Sequence, residues 1–198
     1  MGSFVTDASS QKAALRRKLR QARRDHVAAL PAAVSALVFK APPRPVLSLI
    51  PPDAVIGLYC EADSEAPTRA YAEAFAQSGH KLALPHLKSK TAAMTFREHS
   101  DPFVRSDLEH GPFGLLQPPG DAPICVPQVL FVPLLGFTAD GLRLGQGGGF
   151  YDRWLARHRD TTAIGLAWDV QLTGQLPVEE HDVPLTAIIT PTRIYGPF

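Results

Sequence analysis

The sequence predicts an α/β fold with three layers, α/β/α, in which a largely parallel β-sheet is covered by helices on both faces. Short apolar runs typical of buried strands alternate along the chain with segments of helical periodicity. Such alternation favours a parallel sheet, because parallel strands need long crossover connections. The length of 198 residues suits one domain, since each half of such a chain would have only a marginal core. In sheets of this type, ligands bind beyond the carboxyl ends of the strands.

The start of the chain is predicted to be a mobile leader over residues 1–10, followed by a single domain over residues 11–198. Most of the leader residues are small or polar. Ser9 and Ser10 stand directly ahead of a helical pattern, and serine is favoured at helix N-caps. The first helix is therefore expected to begin after them.

This first helix is predicted to be basic and amphipathic. Residues 11–28 contain seven cations with no acidic residue before Asp25. Lys12, Arg16 and Arg20 recur every four residues, which aligns them on one stripe of a helix. The stripe permits three interpretations: a solvated face, a surface that docks onto nucleic acid or acidic lipid, or cations that reach inward to phosphates held elsewhere in the fold.

The later elements follow from apolar runs and from the turn residues that bound them. Strands are predicted over residues 54–60, 81–84, 94–96, 129–132, 162–166 and 187–190. Helices are predicted over residues 68–78, where Gly79 is a suitable terminator, and over residues 151–158, with a weaker helical segment over residues 32–39. Proline pairs mark loops between elements.

Composition argues against several classes of protein. The formal net charge of +1 implies no general affinity for nucleic acid or membranes. No stretch approaches the roughly 18 uninterrupted apolar residues of a membrane span, and the N-terminus lacks a secretory signal. Cys60 and Cys125 form no C-x-x-C pair, so neither a zinc site nor a disulfide framework is indicated. A cytoplasmic protein with reduced thiols is expected.

The most informative segment is the glycine loop, residues 141–153, which contains five glycines, two arginines, a tyrosine and an aspartate. It follows an apolar run, residues 129–137, and leads into the predicted helix at 151–158. Glycine allows positive φ and close approach of the backbone to a ligand, and the start of a helix offers unpaired N–H groups. The segment is therefore predicted to bind an anion, and phosphate is the expected ligand.

The loop matches neither common nucleotide-binding pattern. G-x-G-x-x-G would require glycine where Phe150 stands, and G-x-x-x-x-G-K-[ST] would require a lysine that is absent. The positive charge must therefore come from elsewhere. Arg143 and Arg153 flank the loop, and the missing lysine favours the interpretation in which cations of the N-terminal helix reach inward.

Two carboxylates are candidates for a cation at these phosphates. Asp152 lies in the first turn of the predicted helix, where it either holds a divalent cation that bridges phosphates or simply complements the helix dipole. Asp182 lies in an acidic loop before the last strand and could supply a second carboxylate.

Taken together, these segments resemble the 5-formyltetrahydrofolate cyclo-ligase family, also called 5,10-methenyltetrahydrofolate synthetase. Its R-L-G-x-G-x-G-[YF]-Y-D signature is found at residues 143–152, and V-P-x-x-x-F precedes it at residues 132–137. The family's N-terminal K-x-x-x-R corresponds to Lys12 and Arg16. Its acidic residue after an early strand and its C-terminal H-D pair correspond to Glu65 and to His181 with Asp182.

The resemblance implies a fold of the NagB/RpiA/CoA transferase type. It also implies conversion of 5-formyltetrahydrofolate to 5,10-methenyltetrahydrofolate, with magnesium ATP consumed and ADP and phosphate released. In such enzymes the γ-phosphoryl group is transferred to the formyl oxygen, nitrogen 10 attacks the activated carbon, and phosphate leaves after the ring closes. This chemistry needs positioning and charge neutralisation more than covalent catalysis.

Site residues follow from the same resemblance. ATP would be bound by Lys12, Arg16, Arg143, Leu144, Gly145, Gln146, Gly147, Gly148, Gly149, Phe150 and Tyr151. The folate would contact Cys60, Glu65 and Tyr151, with Glu65 accepting hydrogen bonds from the pterin. Magnesium would be held by Asp152 and Asp182, and the catalytic residues would be Arg143, Tyr151 and Asp152.

The implied partners are the two small-molecule substrates, without nucleic acid or membrane, and the protein is expected to be a monomer. A non-catalytic folate- or nucleotide-binding protein that sequesters 5-formyltetrahydrofolate is the alternative. The departures from the family pattern include Thr138, Phe150 and Gln117, and none of them removes a proposed phosphate or metal ligand.

Overall fold

A computed structural model describes residues 3–180 and 182–198. Its helices are α1 (Ser3–Ala29), α2 (Ala32–Ser35), α3 (Arg44–Leu47), α4 (Arg69–Gln77) and α5 (Phe150–Leu155), with a 3₁₀ turn at Asp169–Gln171. Its strands are β1 (Ile56–Gly57), β2 (Leu82–His86), β3 (Thr95–Glu98), β4 (Glu109–His110), β5 (Leu116–Gln117), β6 (Ile124–Cys125), β7 (Val129–Pro133), β8 (Gly136–Phe137), β9 (Arg143–Leu144), β10 (Thr162–Leu166), β11 (Ala187–Ile189) and β12 (Ile194–Tyr195).

The predicted sheet is confirmed. Eight strands form it in the order β12-β11-β10-β7-β1-β2-β3-β6. The five strands from β11 to β2 run parallel, whereas β12, β3 and β6 are antiparallel to their neighbours at the two edges. The remaining strands form two short ladders, β4 with β5 and β8 with β9.

Central strand β7 shows why the fold has three layers. Its residues are buried in alternation on two faces: Val129 and Phe131 belong to one core cluster, whereas Leu130 and Val132 belong to the other. The first cluster contains Phe75 of α4, whose ring lies 5.6 Å from that of Phe131. The second contains side chains of α5. Because a strand covered on both faces must be apolar throughout, β7 is a continuous hydrophobic run.

The strand order reverses between β1 and β7. The chain adds β2 and β3 on one side of β1, and then returns to add β7, β10 and β11 on the other side. In open parallel sheets, such a reversal leaves a crevice at the carboxyl ends of the two strands, because their outgoing loops diverge to opposite faces. The loops that follow β1 and β7 therefore flank the expected ligand-binding position.

Several boundaries differ from the predictions. Helix α1 already includes Ser9 and Ser10, so the prediction that they cap it is wrong; a capping residue permits a helix start but does not prevent an earlier one. Strand β1 and helix α2 are shorter than predicted, and a hairpin of β8 and β9 separates β7 from the glycines. Within the described ranges, no helix is long and apolar enough to cross a membrane.

Candidate active site

The glycine loop and Glu65 meet at the crevice between β1 and β7. Glu65 lies in the segment that follows β1, and residues 145–149 follow the β8–β9 hairpin that continues from β7. Gln146 connects them, since its Nε2 donates to Glu65 Oε1 at 3.0 Å. Two segments that are far apart in sequence are thereby brought together at the strand ends.

The glycine loop has the backbone conformation for which glycine was predicted. Gly147 has φ of 109° and Gly149 has φ of 61°, both in the region that L side chains rarely adopt. Residues 146–148 are exposed, whereas Arg143 and Leu144 at the base of the loop are buried. The loop is thus an open turn on a fixed base, with its backbone accessible to a ligand.

Gly147→Ala is expected to destabilise the ligand-free protein by about 1–2 kcal/mol, because a Cβ at this φ strains the backbone. The melting temperature should fall by roughly 2–8 °C. Gly145→Ala is the matched control: Gly145 has no positive φ, and a Cβ there meets no atom within 4 Å. Equal melting temperatures for the two variants in thermal unfolding would contradict the strain argument.

Arg143 and Asp152 form an ion pair at the base of the loop. Arg143 Nη2 donates to Asp152 Oδ1 at 2.5 Å, and Nη1 donates to the carbonyl oxygen of Val183. Burial lowers the pKa of Arg143, and Asp152 opposes that shift. An arginine remains charged at neutral pH in either case, so a permanent cation is held under the loop.

Lys12 is buried against two carboxylates. Its Nζ lies 2.5 Å from Glu179 Oε2 and 2.7 Å from Asp182 Oδ2. Burial alone would lower the pKa of Lys12, but hydrogen bonds and attraction to Asp182 and Glu179 outweigh it, and the net shift is upward. Helix α1 therefore delivers a charged ammonium group to the acidic loop before β11.

The rest of the basic stripe on α1 also faces the site. Arg16 Nε donates to the carbonyl oxygen of Gly145 at 3.0 Å, and Arg20 Nη2 donates to Gln146 Oε1 at 3.0 Å. These contacts favour the interpretation in which the stripe reaches inward. Of the cations in the helix, Arg17, Lys18 and Arg24 are exposed.

The three residues predicted to contact the folate lie near one another. Tyr151 interacts electrostatically with Glu65 and Cys60, and its pKa is raised far above the ordinary value, mainly by burial and then by Glu65. Burial also raises the pKa of Cys60 to about 11. At neutral pH, Tyr151 is therefore a neutral phenol and Cys60 a neutral thiol.

The two residues proposed to bind magnesium both adjoin Val183. Asp152 Oδ1 accepts from the N–H of Val183 at 3.4 Å, and Asp182 is the preceding residue. Among the described residues, no cluster of three or more acidic, histidine or cysteine side chains could hold a metal alone. Two carboxylates nevertheless fit Mg²⁺, which usually takes one or two of them together with substrate phosphates and water. His181 lies outside the described residues.

Three residues in this region were missed by the sequence reasoning. Arg23 is buried and contacts the loop that contains Glu65, and Glu179 is a second partner of Lys12. Phe113 packs edge-on against Phe150, with ring centroids 5.9 Å apart. Only Arg23 had a sequence signal, because it continues the stripe of Arg16 and Arg20 at helical spacing.

Comparisons with known proteins identify relatives of the whole arrangement. A profile of the 5-formyltetrahydrofolate cyclo-ligase family matches residues 8–191. The 5-formyltetrahydrofolate cyclo-ligase of Escherichia coli K12 is 34% identical over 146 residues, which cover 71% of this chain and 79% of that protein. The 5-formyltetrahydrofolate cyclo-ligase of Mycolicibacterium smegmatis is 32% identical over 146 residues, with coverage of 68% and 72%.

Solved structures share the fold. The NMR structure of Aquifex aeolicus 5,10-methenyltetrahydrofolate synthetase has a TM-score of 0.73 at 24% identity and covers 94% of this chain and 92% of that chain. A 5,10-methenyltetrahydrofolate synthetase from Mycoplasma pneumoniae has a TM-score of 0.64 at 22% identity, with coverage of 90% and 97%. Because the profile spans most of the chain and relatives above 30% identity match over most of their length, the chain belongs to the 5-formyltetrahydrofolate cyclo-ligase family, whose enzymes catalyse an ATP-dependent cyclisation.

Proposed function

We propose that this enzyme converts 5-formyltetrahydrofolate to 5,10-methenyltetrahydrofolate in the cytoplasm as a monomer, with ATP as co-substrate and Mg²⁺ as cofactor. The observation that carries the proposal is that cations from two distant segments meet at the glycine loop. Arg16 of α1 donates to the carbonyl oxygen of Gly145, Arg143 lies at the base of the loop, and Lys12 of α1 is held by Asp182 in the neighbouring acidic loop. Phosphoryl transfer depends on such positioning and neutralisation of phosphate charge.

In this proposal, residues 143–151 and the α1 cations Lys12 and Arg16 bind the phosphates. Glu65 accepts hydrogen bonds from the pterin, and Tyr151 and Cys60 form the neutral part of the folate wall. Asp152 and Asp182 would hold Mg²⁺, which supplies charge neutralisation at the phosphates when it is bound. Arg143 then stabilises the negative charge that develops as the γ-phosphoryl group moves to the formyl oxygen.

The reaction order follows from leaving-group chemistry. A formamide oxygen leaves poorly, so it must first be phosphorylated; nitrogen 10 then attacks the activated carbon, and phosphate leaves after the ring closes. The test is to mix the protein with 5-formyltetrahydrofolate, ATP and Mg²⁺ and to follow methenyl-folate absorbance together with ADP release. A folded protein that forms no product would overturn the proposal.

A protein that only sequesters 5-formyltetrahydrofolate is the alternative, and the same assay separates the two functions. A sequestering protein would bind the folate without releasing ADP. The presence of both Asp152 and Asp182 favours the enzyme, because folate storage alone needs no pair of carboxylates for a divalent cation. Binding by calorimetry without turnover would favour sequestration.

Glu179→Gln is expected to lower the KM for ATP by about two- to fivefold. Glu179 shares Lys12 with Asp182, so in the free enzyme it competes with phosphate for the same ammonium group. A partly exposed ion pair of this kind is worth roughly 0.2–1 kcal/mol. Initial rates at varied ATP and saturating 5-formyltetrahydrofolate measure the effect.

The neighbouring Glu180→Gln provides the control, since Glu180 is exposed. Its KM for ATP should stay at the wild-type value. A rise in KM for ATP in Glu179→Gln would mean instead that this carboxylate assists the binding of magnesium ATP.

A further inference from the structure

The crevice between β1 and β7 is crossed by a buried arginine from α1. We propose that Arg23 is a positioning residue for folate binding, which fixes the loop that presents Glu65. This inference rests on the proposed role of Glu65 as the pterin-binding carboxylate. Within the part of the chain that the structure describes, Arg23 donates no hydrogen bond to a candidate phosphate ligand, and it acts through residues 63–65.

Arg23 joins the two loops that leave the crevice. On the β1 side, its Nε donates to Ser64 Oγ at 3.2 Å and its Nη2 donates to the carbonyl oxygen of Asp63 at 3.4 Å. On the β7 side, its Nη1 donates to the carbonyl oxygen of Leu134 at 3.4 Å. The same Nη1 lies 3.6 Å from Glu65 Oε1. One planar guanidinium group therefore contacts both walls at once.

The conformation that Arg23 supports is a strained one. Ser64 has φ of 65°, in the left-handed region that residues other than glycine rarely adopt. The carbonyl oxygen of Ser64 accepts from Trp168 Nε1 at 2.9 Å, so Trp168 holds the turn on one side and Arg23 holds it on the other. Strain of this kind persists only where surrounding contacts fix it, and it concentrates at ligand-binding loops. The turn immediately precedes Glu65 and therefore sets its direction.

The other contacts of Glu65 hold its carboxylate in one orientation. Its Oε2 accepts from the backbone N–H of Ala62 at 3.0 Å, and its Oε1 accepts from Gln146. The Arg23 and Glu65 side chains are only 4% and 7% exposed. Such a buried ion pair adds little net stability, because the cost of desolvation offsets the attraction. We therefore assign the pair to orientation of the carboxylate.

Arginine is required by the geometry of these contacts. The acceptors lie in different directions, and a guanidinium fork reaches all of them, whereas a lysine ammonium is a point charge on a flexible stem. Arg23→Lys should keep the positive charge but lose the simultaneous hydrogen bonds to Ser64 and Leu134. The conservative variant therefore separates the geometric role from the electrostatic one.

The experiment compares Arg23→Ala, Arg23→Lys and Arg24→Ala in the full-length enzyme. Arg24 is the adjacent, exposed cation on the same helix. For Arg23→Ala, we expect the KM for 5-formyltetrahydrofolate to rise about tenfold or more, the scale of a lost hydrogen bond to a charged group, with less than about a twofold change for ATP. Arg23→Lys should be intermediate, and Arg24→Ala should match wild type.

Calorimetric binding of 5-formyltetrahydrofolate, without ATP, gives a readout independent of turnover, so failure of the proposed reaction is distinguished from failure of this inference. Unchanged folate affinity in Arg23→Ala would overturn the role. An equal loss for folate and ATP would also overturn it, because that result is expected if Arg23 only anchors α1. If Arg23→Ala does not fold, the same criteria apply to Arg23→Lys.

Discussion

Arg143→Ala is expected to lower kcat/KM by about 100- to 1000-fold, which corresponds to roughly 2.7–4 kcal/mol of transition-state stabilisation. Arg143 is buried at the base of the glycine loop, where its charge is poorly screened by water. It is also fixed in place by Asp152 and by the carbonyl oxygen of Val183, so little reorganisation is needed when negative charge develops. Steady-state kinetics with both substrates varied measure the loss.

Arg153→Ala is the matched control for this prediction. Arg153 flanks the same loop in sequence, but it is exposed and lies over the ring of Phe150, with 5.1 Å between its Cζ and the ring centroid. Its removal should change kcat/KM by less than about threefold, as expected for an exposed, screened charge. Equal effects of the two variants would show that charge near the loop matters and that burial and fixation of Arg143 do not.

Loss of folding must be separated from loss of catalysis in Arg143→Ala, because removal of one partner leaves Asp152 without its cation. Arg143→Lys retains a charge beneath the loop but cannot contact Asp152 and Val183 in the same forked manner. We expect it to fold and to recover only part of the rate. Full recovery by lysine would reduce the role of Arg143 to its charge.

The parts of the fold that the sequence predicted are those with a repeating pattern. Strand β10 was predicted with its observed bounds, and β7 within one residue, because buried parallel strands are continuous apolar runs. Strands β8 and β9 have two residues each, which is too short for any periodicity. They were missed, although they form the base on which the glycine loop is built.

Candidate site residues could be proposed from the sequence wherever chemistry is encoded locally. The glycine loop and the stripe of Lys12 and Arg16 stand out by residue type and spacing, whereas residue type left Asp152 open between a metal ligand and a helix-start residue. The partners of Arg23 could not be predicted, because Asp63 and Leu134 lie 40 and 111 positions away from it along the chain. Such contacts depend on the order of strands in the sheet, which places the loops after β1 and β7 together.

Asp152→Asn is expected to lower kcat on the order of a hundredfold, since a metal ion at phosphates contributes several kcal/mol of charge stabilisation. The substitution is nearly isosteric. The side-chain oxygen can still accept from Arg143 and from the N–H of Val183, so folding should be little affected. What is lost is negative charge, and the Mg²⁺ concentration that gives half-maximal rate should therefore rise.

Asp140→Asn controls for a general change of charge in this region. Asp140 lies between β8 and β9 and is exposed, so its variant should show the wild-type dependence on Mg²⁺. The partner prediction is that Asp182→Asn shifts the dependence on Mg²⁺ in the same direction as Asp152→Asn, because both residues adjoin Val183. A wild-type rate for Asp152→Asn at limiting Mg²⁺ would contradict the metal-binding role. Asp152 would then have only a structural role at the start of α5, where an acidic residue complements the helix dipole.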